Sequence, residues 1–194
     1  MQNNTEEKED KLYFPVVEKL KEIFDRWYVK EPYAYRKIPH TDYWAMAAPS
    51  SGITNPHLEI TAKGNFSEEL KAYFDITMFG KLYGEELHPD TMGFVRKKKS
   101  DKPDLITVEV KKDDLKIRDV MQARLYEIFF QSKFTFLLSP TGISREKIEA
   151  VMQHDDFIRG HVIIGKCGDD GKDFRVDPKL CNKVRKEFVQ FCRS

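Results

Sequence analysis

The segment from Leu105 to Lys111 alternates between apolar and polar side chains, and this alternation constrains the fold more than any other feature of the sequence. A period of two is typical of a β-strand whose two faces differ. The apolar face comprises Ile106, Val108 and Val110, and the polar face Thr107, Glu109 and Lys111. A second strand is predicted from Thr91 to Lys98, and a turn from Ser100 to Asp104. The two strands are therefore expected to form a hairpin.

Apolar residues with helical spacing flank this hairpin on both sides. A first helix is predicted from about Glu6 to Tyr28 by the stripe Leu12, Val16, Leu20, Ile23 and Trp27. Ser67 is expected to cap a second helix that ends near Phe79. A third helix is predicted by the apolar residues Ile117, Val120, Met121, Leu125 and Ile128. The apolar run from Phe134 to Ser139 follows it as a strand.

The remaining segments carry shorter patterns. Before the second helix, short strands are expected at about Tyr33–Ile38 and Leu58–Lys63. After the core, the patterns predict a short helix capped by Ser144, a strand from His161 to Lys166 and a terminal helix beginning at Asp177 and Pro178. This order predicts a single α/β domain spanning 1–194, with a core at about 6–30 and 66–140, an insertion at 31–65 and a C-terminal extension at 141–194.

Composition and charge exclude several classes of protein. The 194 residues contain 33 basic and 32 acidic side chains, so the net charge of +1 excludes a broad electrostatic attraction to nucleic acid or membrane. Three cysteines cannot form a four-cysteine zinc or iron–sulfur site. No apolar run approaches the roughly 20 residues of a membrane helix, and the polar, acidic first residues do not resemble a signal peptide. We therefore expect a cytoplasmic protein without a membrane partner.

Three polar side chains are expected to meet at one end of the hairpin. Asp90 lies where the first strand begins, and Glu109 and Lys111 share a face of the second. Two neighbouring carboxylates repel one another, and a shared hard cation such as Mg²⁺ commonly stabilises such a pair. The carbonyl of Val110 can add an oxygen ligand, and Lys111 can orient a water or offset charge on a phosphate. This set of groups favours phosphodiester hydrolysis, whereas an exposed Glu109–Lys111 ion pair is the structural alternative.

These residues resemble the PD-(D/E)xK nuclease superfamily. Its pattern is matched by Pro89-Asp90 and by Glu109-Val110-Lys111. The resemblance implies a restriction-endonuclease-like αβββαβ core with a central mixed sheet flanked by helices. The local patterns add extra strands or loops at 31–65 and a C-terminal helix to this core. It also implies a Mg²⁺- or Mn²⁺-dependent deoxyribonuclease, with Asp90, Glu109, the Val110 carbonyl and Glu9 as metal ligands.

Two ligand choices remain open in the sequence. Asp104 also follows a proline, but it begins the same strand as Glu109, roughly 17 Å away in an extended chain at about 3.3 Å per residue. Asp90 is therefore preferred, because it can approach Glu109 across the hairpin. On the first helix, Glu9 is preferred over Glu18, because Glu18 falls opposite the apolar stripe.

The third helix and the basic residues extend the predicted site. Gln122 and Tyr126 lie one helical turn apart, and a Gln-x-x-x-Tyr pair after the Glu-x-Lys strand is similar to that of an exonuclease branch of the superfamily. Between residues 93 and 112 there are seven basic and three acidic residues, a local charge of +4. Contacts with the nucleic-acid backbone are therefore predicted for Arg96, Lys97, Lys98, Lys112, Lys116 and Arg118.

The resulting hypothesis is a metal-dependent deoxyribonuclease in repair, recombination or defence, with double- or single-stranded DNA as its partner. One alternative is a catalytically silent, nuclease-like module that binds DNA or assembles within a larger repair or defence complex. A further alternative is a structure-specific resolvase, which would act on branched DNA as a homodimer.

Overall fold

The structure is a computed structural model that describes residues 3–30, 35–37, 44–46, 56–73, 88–96, 103–144, 146–147, 149–150 and 162–176. For residues 3–9, 27–30, 35–37 and 44–46 it describes the backbone alone. The helices in these ranges are α1 (Asn3–Lys30), α2 (Glu68–Lys71) and α3 (Ile117–Phe130). The strands are β1 (Tyr35–Lys37), β2 (Trp44–Met46), β3 (His57–Ile60), β4 (Thr91–Val95), β5 (Asp104–Val110), β6 (Phe134–Ser139), β7 (Val162–Lys166) and β8 (Arg175–Val176).

The strands form a mixed sheet, which confirms the predicted α/β class. Six strands lie in the order β3-β4-β5-β6-β7-β8, while β1 and β2 form a separate antiparallel pair. Strands β3, β4 and β5 are antiparallel neighbours, β5, β6 and β7 are parallel, and β8 returns antiparallel to β7. The predicted hairpin is thus β4 and β5. Both the expected insertion at 31–65 and the expected extension at 141–194 contribute strands to this sheet.

Helix α1 covers one face of the sheet. The predicted stripe is confirmed for Leu12, Val16, Leu20 and Ile23, which are all buried, while the side chain of Trp27 lies outside the described residues. The four buried side chains of α1 pack with the apolar face of β5 in one core. Each fully buried side chain of this size contributes roughly 1.5–3 kcal/mol, so this packing fixes α1 over the hairpin.

Helix α3 covers the other face, but not with the side that its sequence predicts. Ile117, Met121, Leu125 and Ile128 have exposed fractions of 36–42%. The buried residues are instead Asp119, Val120, Ala123, Tyr126 and Phe130. The helix carries apolar residues on two sides, so their spacing predicts the helix without selecting the side that packs. The small side chain of Ala123 lets α3 approach β6 and β7 closely, where it joins a core with Leu137 and Ile164.

Several predicted boundaries are altered. The strand expected to reach Lys63 ends at Ile60, because a turn follows in which Gly64 has φ +71°. Ser67 does cap α2, its hydroxyl accepting a hydrogen bond from the Leu70 amide at 3.1 Å. The helix predicted after Ser144 is described only at residues 146–147 and 149–150, which are helical. The terminal helix predicted from Asp177 and the ends of the Tyr33–Ile38 strand lie outside the described residues. Across the described ranges, no helix is long and apolar enough to cross a membrane.

Candidate functional site

The candidate site lies where β4 begins and β5 ends. Thr91 pairs with Val108 in the antiparallel register, so the next position outward sets Asp90 opposite Glu109. Side chains at directly opposed positions share a face, with Cβ atoms about 4.5–5.5 Å apart. The hairpin therefore brings together the two carboxylates that the sequence predicts.

Hydrogen bonds from two elements fix the carboxylate of Asp90. The Val110 amide donates to Oδ2 at 2.7 Å, and the Tyr13 hydroxyl on α1 donates to Oδ1 at 3.0 Å. The carbonyl of Asp90 accepts a hydrogen bond from the Thr61 amide at 2.8 Å. Asp90 is only 9% exposed. This carboxylate is thus buried and oriented by groups distant in sequence.

Glu109 forms a close ion pair with Lys111. The Nζ atom of Lys111 lies 2.5 Å from Oε1 of Glu109, and the side chains are 24% and 3% exposed, respectively. The alternative of an exposed surface pair is therefore wrong, because the carboxylate is buried. Removing one partner of a buried pair typically costs about 3–5 kcal/mol, since the other charge is left uncompensated.

The Gln122–Tyr126 pair lies beside these carboxylates. Gln122 Nε2 donates to the Tyr126 hydroxyl at 2.9 Å, and that hydroxyl donates to the carbonyl of His88 at 3.1 Å. Burial raises the pKa of Tyr126 well above its ordinary value, and the negative charges of Glu109 and Asp90 raise it further. Tyr126 therefore stays protonated and experiences the field of both carboxylates.

Two of the other ligand candidates, Asp104 and Glu18, form ion pairs away from this end of the hairpin. Asp104 pairs with Val95 at the far end of β5 and binds Lys133 at 2.8 Å. Glu18 is exposed and binds Lys21 at 3.1 Å. The side chain of Glu9 lies outside the described residues.

The residues predicted to contact the nucleic-acid backbone lie at several separate places in the fold. Arg96 donates to Glu69 and to the Tyr73 hydroxyl, at 2.9 and 2.8 Å. Lys112 lies 3.9 Å from Asp113 and is 22% exposed at its side chain. The exposed residues Lys116 and Arg118 begin α3, and Lys97 and Lys98 lie outside the described residues.

The ligand atoms available at the site are of the type that a hard cation prefers. Asp90, Glu109 and the Val110 carbonyl offer only oxygen atoms, which Mg²⁺ and Mn²⁺ prefer. Each carboxylate oxygen has two acceptor positions, so the oxygens of Asp90 can accept a hydrogen bond and still coordinate. Among the described side chains, no three His, Cys, Asp or Glu residues converge as a metal-binding group. Within the described residues, Asp90 and Glu109 are thus the two carboxylates that could serve as ligands at this end of the hairpin.

Sequence reasoning missed Tyr13 and Thr61. Tyr13 is 6% exposed and Thr61 is fully buried, and the Thr61 hydroxyl donates to the carbonyl of Pro89 at 2.6 Å. Both residues hold the segment that carries Asp90. Tyr13 lies directly after a residue of the apolar stripe, but its partner is 77 residues away, and no local pattern predicts such a contact.

Comparisons with family models, with curated proteins and with solved structures found no match.

Proposed function

We propose that this protein hydrolyses phosphodiester bonds of DNA with Mg²⁺ or Mn²⁺, and that its sheet and helices form a restriction-endonuclease-like fold of the PD-(D/E)xK type. The observation that carries the proposal is the opposition of Asp90 and Glu109 at the end of the hairpin, with Lys111 bound to Glu109. Two buried carboxylates beside a lysine are a costly arrangement for stability alone. A cation and a phosphate would offset the charges that the fold gathers there.

Each residue has a distinct part in this proposal. Asp90 and Glu109 hold the cation, and the hydrogen bonds from Tyr13 and Val110 keep Asp90 in position. Lys111 is partly exposed and so can meet an incoming phosphate, where its ammonium orients the attacking water and offsets developing negative charge. A bound divalent ion would polarise the phosphate and lower the pKa of water.

The Gln122–Tyr126 pair acts through the backbone. Tyr126 is held by Gln122 and binds the carbonyl of His88, two residues before Asp90. The pair therefore supports the position of the metal-binding carboxylate.

The test uses a matched pair of variants on one hairpin. Asp90→Asn and Asp104→Asn make the same chemical change directly after a proline, and the two residues lie at opposite ends of the β4–β5 hairpin. Purified protein is incubated with linear, circular, single-stranded and branched DNA in Mn²⁺, and Mn²⁺ binding is measured by titration calorimetry. Asp90→Asn should lose both cleavage and Mn²⁺ binding, whereas Asp104→Asn should retain both. The opposite result would transfer the ligand role to Asp104, and absence of cleavage by the unaltered protein on all four substrates would refute the proposal.

A second candidate function is assembly without turnover. The exposed apolar residues Ile117, Met121, Leu125 and Ile128 form a stripe along α3, a surface typical of contact with another protein. Such a module would bind DNA or a partner without any effect of Mn²⁺. The metal titration therefore separates the two candidates.

A further inference from the structure

A cleft of about 280 Å³ opens beside the candidate site, between α1 and the turn after β3. It is lined by Asp10, Tyr13, Ile60, Ala62, Lys63 and Asn65. Tyr13 joins the cleft to the site directly, since its hydroxyl binds Asp90. The turn is joined through the Thr61 amide, which binds the Asp90 carbonyl. Any group held in the cleft would therefore lie next to the proposed reaction centre.

The turn that forms one wall is held in a defined shape. The Gly64 backbone has φ +71°, and its amide binds the carbonyl of Thr61 at 2.8 Å. A Cβ atom at Gly64 would lie 3.3 Å from Cδ2 of His88, so the His88 ring packs directly under the turn. Lys63 and Asn65, on either side of this glycine, are exposed. The wall is thus built on the segment that carries Asp90.

The chemical character of the lining fits one nucleotide. Ile60 is 44% exposed and offers apolar contact to the face of a base. The amide of Asn65 can both donate to and accept from a base edge. Lys63 supplies a cation for a phosphate, and Asp10 on the opposing helix can accept from an exocyclic amino group while repelling a phosphate. These groups would direct the phosphate towards Lys63 and the base towards α1.

The size of the cleft selects among nucleic acids. Pockets that enclose whole drug-sized ligands occupy about 300–1,000 Å³, so this cleft lies just below that range. One nucleotide is of this order of size, whereas a base pair carries two bases on two backbones. Resting on the proposed function, we infer that the cleft receives a single unpaired nucleotide next to the scissile phosphate, and that the substrate is single-stranded DNA or a frayed strand end.

Binding in EDTA tests the cleft without cleavage. Fluorescein-labelled oligothymidylate and a duplex of equal length are titrated by fluorescence anisotropy against the full chain. The variants Lys63→Ala and Asn65→Trp alter exposed residues, the first by removing the cation and the second by filling the cleft. Lys133→Ala is the matched control, because Lys133 is also exposed but binds Asp104 at the end of β5 that lies opposite to the candidate site. Circular dichroism verifies that each variant is folded.

The unaltered protein should bind the single strand about tenfold more tightly than the duplex, and each cleft variant should reduce single-strand affinity by about tenfold. Lys133→Ala should change it by less than about twofold. Equal affinity for single strand and duplex, or cleft variants that match Lys133→Ala, would overturn the inference. Cleavage assays in Mn²⁺ are run in parallel. Cleft-dependent binding without cleavage would refute the nuclease proposal alone, and cleavage that the cleft variants do not alter would refute the cleft alone.

Discussion

The hydrogen bond from Tyr13 to Asp90 joins α1 to the candidate site, and the substitution Tyr13→Phe removes that bond while keeping the ring. The bond is 3.0 Å long and buried, and its acceptor belongs to a carboxyl group that is 9% exposed. Hydrogen bonds to charged groups contribute about 1.5–3 kcal/mol, because their loss leaves a buried polar atom without its partner. In a chain of 194 residues this corresponds to a decrease in Tm of roughly 3–12 °C.

The same substitution should impair cleavage more than substrate binding. The Val110 amide would still hold one oxygen of Asp90, so the carboxylate would rotate without leaving the site. Displacement of a catalytic group by about 1 Å can cost a hundredfold in rate, and we expect a ten- to hundredfold decrease in kcat with little change in KM. Thermal unfolding and Mn²⁺-dependent cleavage of single-stranded DNA measure the two effects.

Tyr73→Phe is the matched control for this prediction. This substitution removes a tyrosine hydroxyl whose contact with Arg96 is exposed. The Tm of the variant should therefore fall by no more than about 4 °C, and its kcat should be unchanged. A double-mutant cycle with Asp90→Asn should give a Tyr13–Asp90 coupling free energy of at least about 1 kcal/mol. If Tyr13→Phe unfolds at the same temperature as the unaltered protein, or if the coupling is near zero, the hydrogen bond does not position Asp90.

The remaining predictions concern the ion pair and the buried thiol. Lys111→Ala should lower the free energy of unfolding by about 3–5 kcal/mol, because it leaves the buried Glu109 carboxylate without the Lys111 ammonium. Glu109→Gln should lower it by less, because the lysine that remains is partly exposed. Urea unfolding compares the two variants, and equal losses of stability would contradict this difference. Burial raises the pKa of Cys167 from 9.0 to about 12, so stability that is fully present below pH 9 should be lost as the pH rises towards 12. Cys167→Ala should flatten this alkaline decrease in Tm, and an unchanged slope would exclude the thiol as its source.

The sequence predicts the hairpin correctly because the alternation at 105–111 fixes which side chains share a face. It also predicts α1, because one stripe of apolar residues has helical spacing and the opposite side is polar. The side of α3 that packs was not predictable, since that helix is apolar on two sides and only the sheet decides between Ala123 and Met121.

The candidate site also contains contacts that the sequence predicts and contacts that it does not. The opposition of Asp90 and Glu109 follows from a short-range register, so the sequence is sufficient to predict it. The contacts of Tyr13 and Thr61 depend on how α1 and β3 pack against a segment far along the chain, and local patterns carry no such information. The burial of Glu109 likewise depends on long-range packing, since its carboxylate lies near Tyr126 of α3.

The hydrogen bond from the Val110 amide to Asp90 also has a consequence for how the site can be observed. Strand β4 begins at Thr91, so no β4 backbone carbonyl lies opposite the Val110 amide. The Asp90 carboxylate accepts the hydrogen bond from this amide instead. The next amide, that of Lys111, donates to the Leu138 carbonyl on β6. The last bond of the hairpin ladder is therefore also the bond that orients the Asp90 carboxylate, the proposed metal ligand. Protection of a single amide hydrogen, that of Val110, from exchange with solvent would thus report whether the site is assembled, in the absence of metal or substrate.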